Sequence, residues 1–218
     1  MMDATTNLSS PTGDIEDDGG AMTRAGVLKL FGATAAGAAG LSLIEAGQSA
    51  AATPRYSTAT DLTVLQYALM LEHLGATFYN EALASAHLTG TAKSLAETFR
   101  SHERAHVVAV EKAIKSLGGT PNPSPTFNFG SAVKSEKAFL TTSEKIETLC
   151  VETVDGAGGL VSKPVLATAT TLVSVEARQV SYVRYVLGLS PAPYLLFPAV
   201  TPTESMAKLA ATHFIVKK

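Results

Sequence analysis

From residue 53 onward apolar positions recur every three or four residues, and no stretch alternates with the two-residue period of a strand, so the pattern predicts helices throughout. The first helix is expected from about Asp61, read as its N-cap, to about His87, with Leu62, Leu65, Leu69, Glu72, Ala76, Tyr79 and Leu83 on one stripe. A short turn through Ala86 to Gly90 leads to a second helix from about Thr91 to Leu117. Its stripe is Leu95, Phe99, Glu103, His106, Val110, Ile114 and Leu117, and Gly118-Gly119 ends it. The stretch Gly119 to Ala132, with Pro121, Pro123 and Pro125, is expected to be a non-helical strap across the bundle, anchored by Phe127 and Phe129.

A third helix is predicted from about Lys134 to Asp155, with Phe139, Ser143, Ile146, Glu147, Cys150 and Val154 inward. A fourth starts near Pro164, a favourable first-turn residue, and ends at Gly188, with Val165, Ala169, Leu172, Glu176, Gln179, Val183 and Leu187 in line. A Pro-rich segment from Pro191 to Pro202 precedes a short helix from about Thr203 to Thr212. The fold class that follows is all-α: a four-helix bundle with a long crossover between helices two and three and a short C-terminal helix, occupying residues 53–218.

The N-terminal quarter has another character. Residues 1–21 are rich in Ser, Thr, Gly and Asp without a hydrophobic period, and are expected to be a disordered acidic tail. Residues 22–52 have the layout of an export signal: a basic stretch with Arg24 and Lys29, an uncharged 15-residue run from Leu30 to Ile44, and small residues up to Ala50-Ala51-Ala52. The stretch Thr23 to Lys29 resembles a twin-arginine signal in which Ala25 stands for the second Arg and Val27 for the usual Phe. A Tat-like or Sec route to the periplasm, cell envelope or exterior is therefore expected, with cleavage near Ala52. The run is short for a bilayer span, so a membrane anchor arises only if the segment is retained. Met22 is a second candidate start.

Charge sharpens this division. Residues 1–52 carry six acids against two bases, whereas the remainder carries fifteen bases against thirteen acids. The overall net charge of −2, with bases dispersed and no binding motif, gives no basic field for nucleic acid, and no such partner is expected. A single cysteine, Cys150, can neither form an intrachain disulfide nor build a thiolate zinc site.

Each of the four long stripes contains an acid: Glu72, Glu103, Glu147 and Glu176. A buried, unpaired carboxylate costs several kcal/mol, so such groups must be protonated, paired with bases or bound to cations. Two divalent ions would match the four charges. The unit Glu103-Arg104-Ala105-His106 places a carboxylate and an imidazole on one helix face, where both reach the same ion. Glu176-Ala177-Arg178-Gln179 repeats the unit with an amide in the second place.

The chain resembles the ferritin-like domain proteins, a family with exported bacterial members and plant desiccation-related members. The resemblance lies in Leu65 to Leu74 with Phe78-Tyr79, Ser101-His102-Glu103-Arg104-Ala105-His106, the strap Gly118 to Pro121 with Pro125 to Phe129, and Val175-Glu176-Ala177-Arg178-Gln179. It implies a carboxylate/His site for one or two iron or manganese ions with Glu72, Glu103, His106, Glu147 and Glu176 as ligands, and with Gln179, where the family has a His, holding the second ion weakly beside Glu176. A neutral amide is a poorer ligand than imidazole for these ions. The implied function is an oxidase using dioxygen or peroxide, or a metal-holding stress protein. The alternative is a non-catalytic envelope or desiccation-stress protein whose site has decayed, with the inward acids held by hydrogen bonds or by Arg178. A homo-oligomer is compatible with either.

Other side chains have plainer readings beside their functional ones. Glu144 and Glu152 share the third helix with Glu147, and a stripe drawn one residue over would turn a different acid inward. His73 and His102 lie about 100° around their helices from neighbouring ligands, which points to surface or helix-interface roles. His87 and His213 are expected in solvent. Cys150 reads as a small core hydrophobe with soft ligation as its other role, and Tyr79 as core packing with donation to the site as its other role.

Overall fold

The computed structural model describes residues 56–216, so the acidic tail and the signal-like segment lie outside the described residues. Five α-helices occur among them: α1 (Thr58–Ser85), α2 (Gly90–Ser116), α3 (Glu136–Ala157), α4 (Lys163–Val186) and α5 (Pro202–Ala211), with a 3-10 turn at Gly130–Val133. Short connections make α1/α2 and α3/α4 hairpins. Cross-pair packing sets α1 beside α3 and α2 beside α4, which closes the four-helix bundle, and α5 lies on α3.

The ends of the helices show where local chemistry overrides the stripe. Ser57, not Asp61, caps α1, accepting from Thr60 N at 3.1 Å. Asp61 is instead buried inside the first turn and accepts the backbone N–H of Ser162 at 2.8 Å. Ser162 is the N-cap of α4, so this carboxylate serves the positive end of another helix. Gly118 ends α2 at φ 78, with Gly119 N donating to Ile114 O at 3.0 Å, a left-handed closure that suits Gly. α3 begins at Glu136 rather than Lys134, because Ser135 provides a side-chain cap to Ala138 N.

The strap between α2 and α3 is held at both ends. Gln66 of α1 donates to Thr120 O at 2.7 Å and accepts from Asn122 N at 2.9 Å. Phe129 is buried, edge-on to Phe78 at 5.3 Å and to Phe214 at 5.1 Å. Phe127 pairs with Ile215 in an isolated antiparallel bridge, so the strap and the chain's end fasten each other. The last residues of the strap form the 3-10 turn, a departure from the expected wholly non-helical stretch to Ala132. After α4 the Pro-rich segment returns over the end of α3. There a Cβ on Gly156 would lie 1.7 Å from Val200 O, so the backbones meet where only Gly fits.

The apolar core has two layers. The larger contains Leu74, Phe78, Tyr79, Phe99, Phe139 and Val183, and the smaller Leu65, Leu69, Val110, Ile114, Val165 and Leu172. On α2 and α4 the boundary falls between Phe99 and Val110 and between Leu172 and Val183. Glu103, His106, Glu176 and Gln179 occupy that gap, and all four are buried. The core is thus interrupted by one polar layer.

Candidate metal centre

Three helices bring their donors to one point. Glu72 from α1, Glu103 and His106 from α2 and Glu176 from α4 each offer a ligand atom, all within 4.8 Å of one another. His106 Nδ1 lies 3.3 Å from Glu72 Oε2, 3.7 Å from Glu176 Oε1 and 4.0 Å from Glu103 Oε1. The i, i+3 spacing of Glu103 and His106 puts both on one face of α2. Gly75, one turn beyond Glu72, lets α2 press close: a Cβ there would be 2.7 Å from Glu103 Oε2.

The fourth acid sits beside this group in different company. Glu147 of α3 is buried, and the Tyr79 hydroxyl donates to its Oε1. Ser143 shares that hydroxyl at 2.6 Å. Tyr79 therefore serves both of its readings, since its ring also packs edge-on against Phe99 at 5.6 Å. Gln179 donates from Nε2 to Glu103 Oε1 at 3.1 Å.

The register of α3 is visible in the other acids. Glu144 pairs with Arg184, and Glu152 pairs with Lys208. Both are spoken for at the bundle's periphery, which leaves Glu147 as the acid of α3 facing the polar layer. Arg178 is exposed and does not fold into the site, so it does not neutralise these carboxylates.

Several buried atoms of the cluster have no hydrogen-bond partner: Glu72 Oε2, both carboxylate oxygens of Glu176, His106 Nδ1 and Gln179 Oε1. Buried acceptors without donors are rare and costly. Burial pushes the Glu72 carboxyl up to about 8. Burial, reinforced by the neighbouring carboxylates, holds Glu103, Glu147 and Glu176 well above the ordinary range. Burial also lowers His106 to about 4, which leaves its imidazole neutral and able to ligate. Cys150 is buried, and burial and the same carboxylates push its thiol up, as suits a small packing group.

This donor set fits a divalent cation: hard oxygen atoms and one imidazole nitrogen, unpartnered and converging. The ferritin-like domain family matches residues 60–189. The chain belongs to that family. The match spans α1 to α4 and so covers every member of the centre, whereas none of the curated proteins compared with the chain matches it. The ferritin-like bundle leaves its other histidines outside the cluster: His73 and His102 are half-buried, and His87 and His213 are exposed. Gly75 is the member of the surroundings that residue chemistry did not single out, whereas Ser143 is buried on the stripe expected for it. A Gly one turn from an inward Glu is the one sequence signal for the close approach of α1 and α2.

Proposed function

We propose that this ferritin-like protein holds iron or manganese in the carboxylate/His centre, and that it acts as an exported oxidase or metal-holding stress protein. The observation that carries the reading is the set of buried, unpartnered oxygens on Glu72 and Glu176 facing a neutral imidazole. A divalent ion supplies the positive charge that no base of the bundle brings there.

Glu72, Glu103, His106 and Glu176 would hold the ion, and Glu147 would offer a further carboxylate beside them. When bound, it supplies Lewis-acid or one-electron chemistry to this layer. The chain's own residues prepare the layer. Tyr79 fixes Glu147 by donating to one oxygen, and Gln179 fixes Glu103 by donating to another. The apolar residues on either side exclude water, which strengthens every charge interaction between them. Gln179 in the place of an imidazole favours one firmly held ion over a matched pair.

Export belongs to the same proposal and rests on the basic stretch and the Leu30–Ile44 run. No helix among the described residues is long and apolar enough to cross a membrane. The test of the metal reading is elemental analysis of protein purified anaerobically from its native host, where near-stoichiometric iron or manganese is expected. Less than about 0.1 ion per chain would overturn it. The mass of the mature N-terminus tests export, with a start near Thr53 as the expected result.

A further inference from the structure

A cavity of about 240 Å³ lies between α1, the end of α3, α4 and α5, and Glu72 is one of its wall residues. Its wall is built from side chains such as Leu65, Ala68, Val161, Leu172 and Met206, with Glu72 and Tyr67 as its ionisable members and no Lys, Arg or His. The hydroxyls along it are committed elsewhere. Thr63 donates to Ala59 O at 2.9 Å, Thr153 to Leu149 O at 2.6 Å and Thr168 to Pro164 O at 3.4 Å. Thr60 bonds Ser57 Oγ at 2.9 Å, and Tyr67 bonds Ser205 Oγ at 2.8 Å. What these residues turn to the cavity is carbon.

We propose that this cavity binds the apolar portion of a small, uncharged organic substrate and brings it up to Glu72 at the edge of the metal centre. The proposal rests on the metal-centre reading for the chemistry performed, but not for the binding itself. Three features choose the occupant. An apolar cavity of about 150 Å³ stays dry and takes benzene, so one of this size takes a chain or ring of about six to ten carbons. With no Lys, Arg or His in the wall, an anionic group would be desolvated with no partner inside. With every hydroxyl already bonded, a polar ligand would be desolvated without compensation. The exposed Met206 of α5 borders the cavity, and its flexible side chain suits a mouth that admits chains of differing shape.

The probe is 1-octanol, titrated into the full mature protein and followed by ligand-observed NMR, first without metal and then loaded with Mn²⁺ or Zn²⁺. Saturable binding with a Kd of about 1 mM or below is expected in each state. Ala169→Phe, which fills the cavity from α4 without altering a ligand, should weaken it at least about tenfold while metal content is retained. Ala68→Leu fills it from α1 and replaces the first variant should that fail to fold. In the Mn²⁺ protein, but not the Zn²⁺ protein, the bound octanol resonances should show paramagnetic broadening.

Absence of saturable binding in a protein that loads metal overturns the cavity proposal and leaves the metal centre standing. Binding unaffected in the folded filling variants, or broadening equal with both metals, overturns it as well. Octanol binding that is lost in the filling variants of a protein that takes up no metal sinks the metal reading and with it the assignment of this ligand as a substrate.

Discussion

Gln179 donates its side-chain N–H to Glu103 Oε1 at 3.1 Å, and its own Oε1 is left buried without a partner. The amide nitrogen thus orients a carboxylate of the centre, and the amide oxygen is the one atom this side chain could offer an ion. Replacing it by imidazole restores a ligating nitrogen one turn from Glu176. Gln179→His is expected to strengthen binding of a second Mn²⁺ by at least about tenfold. Isothermal titration checks this, and unchanged stoichiometry and affinity would count against a two-ion layout.

Gly75 makes room for Glu103. In Gly75→Ala the new methyl would stand 2.7 Å from Glu103 Oε2, so that carboxylate must shift. The expected cost is about 1–3 kcal/mol of stability from overpacking. The loss in metal affinity should be larger in proportion, about 10- to 100-fold, because the shifted group is a ligand. Chemical denaturation with and without Mn²⁺ separates the two effects.

Tyr79→Phe removes the donor to Glu147 while keeping the ring among Phe78, Phe99 and Phe139. A buried acceptor then loses its partner, which should destabilise the metal-free protein by about 1–3 kcal/mol. Urea unfolding measures this, and an unchanged midpoint would show that the hydroxyl contributes nothing net.

The metal-free bundle should lose stability as pH rises. Glu72 titrates near 8 in the folded state, above its ordinary 4.5, and burial raises the other three acids too. In the window from about pH 4.5 to 8 the unfolded chain therefore holds fewer protons than the folded one, and folding stability falls. His106, lowered from 6.5 to about 4, acts oppositely: its contribution is present above 6.5 and lost as pH falls toward 4. Four raised acids outweigh one lowered imidazole, so the net slope is downward. Melting temperatures of metal-free and Mn²⁺-loaded protein across pH 5 to 8.5 check the sign. The gap between them should widen with pH.

Much of the bundle was legible in sequence because its stripes have helical period and its stops are chemically plain. Phe99, Glu103, His106, Val110 and Ile114 form a single face on α2 and are all buried. α1 was less legible, since Leu71, Leu74, Gly75 and Phe78 are buried beyond the expected stripe. A helix packed on several neighbours loses the one-sided pattern that periodicity detects. Asp61 was misread for a related reason: its type suits an N-cap, but its partner, Ser162 N, is supplied by another helix. The convergence of Glu72, Glu103, His106 and Glu176 was foreshadowed by four acids on apolar stripes. For Glu147, the donor role of Tyr79 and the inward position of Ser143 were readable from their stripes, but not that the three side chains join at one height across α1 and α3.

Anomalous diffraction from crystals grown with Mn²⁺ decides whether the cluster in the polar layer is a cation site. An anomalous peak enclosed by Glu72, Glu103, His106 and Glu176 is expected. No peak at that position, with manganese found only on exposed acids such as Asp155, would contradict it.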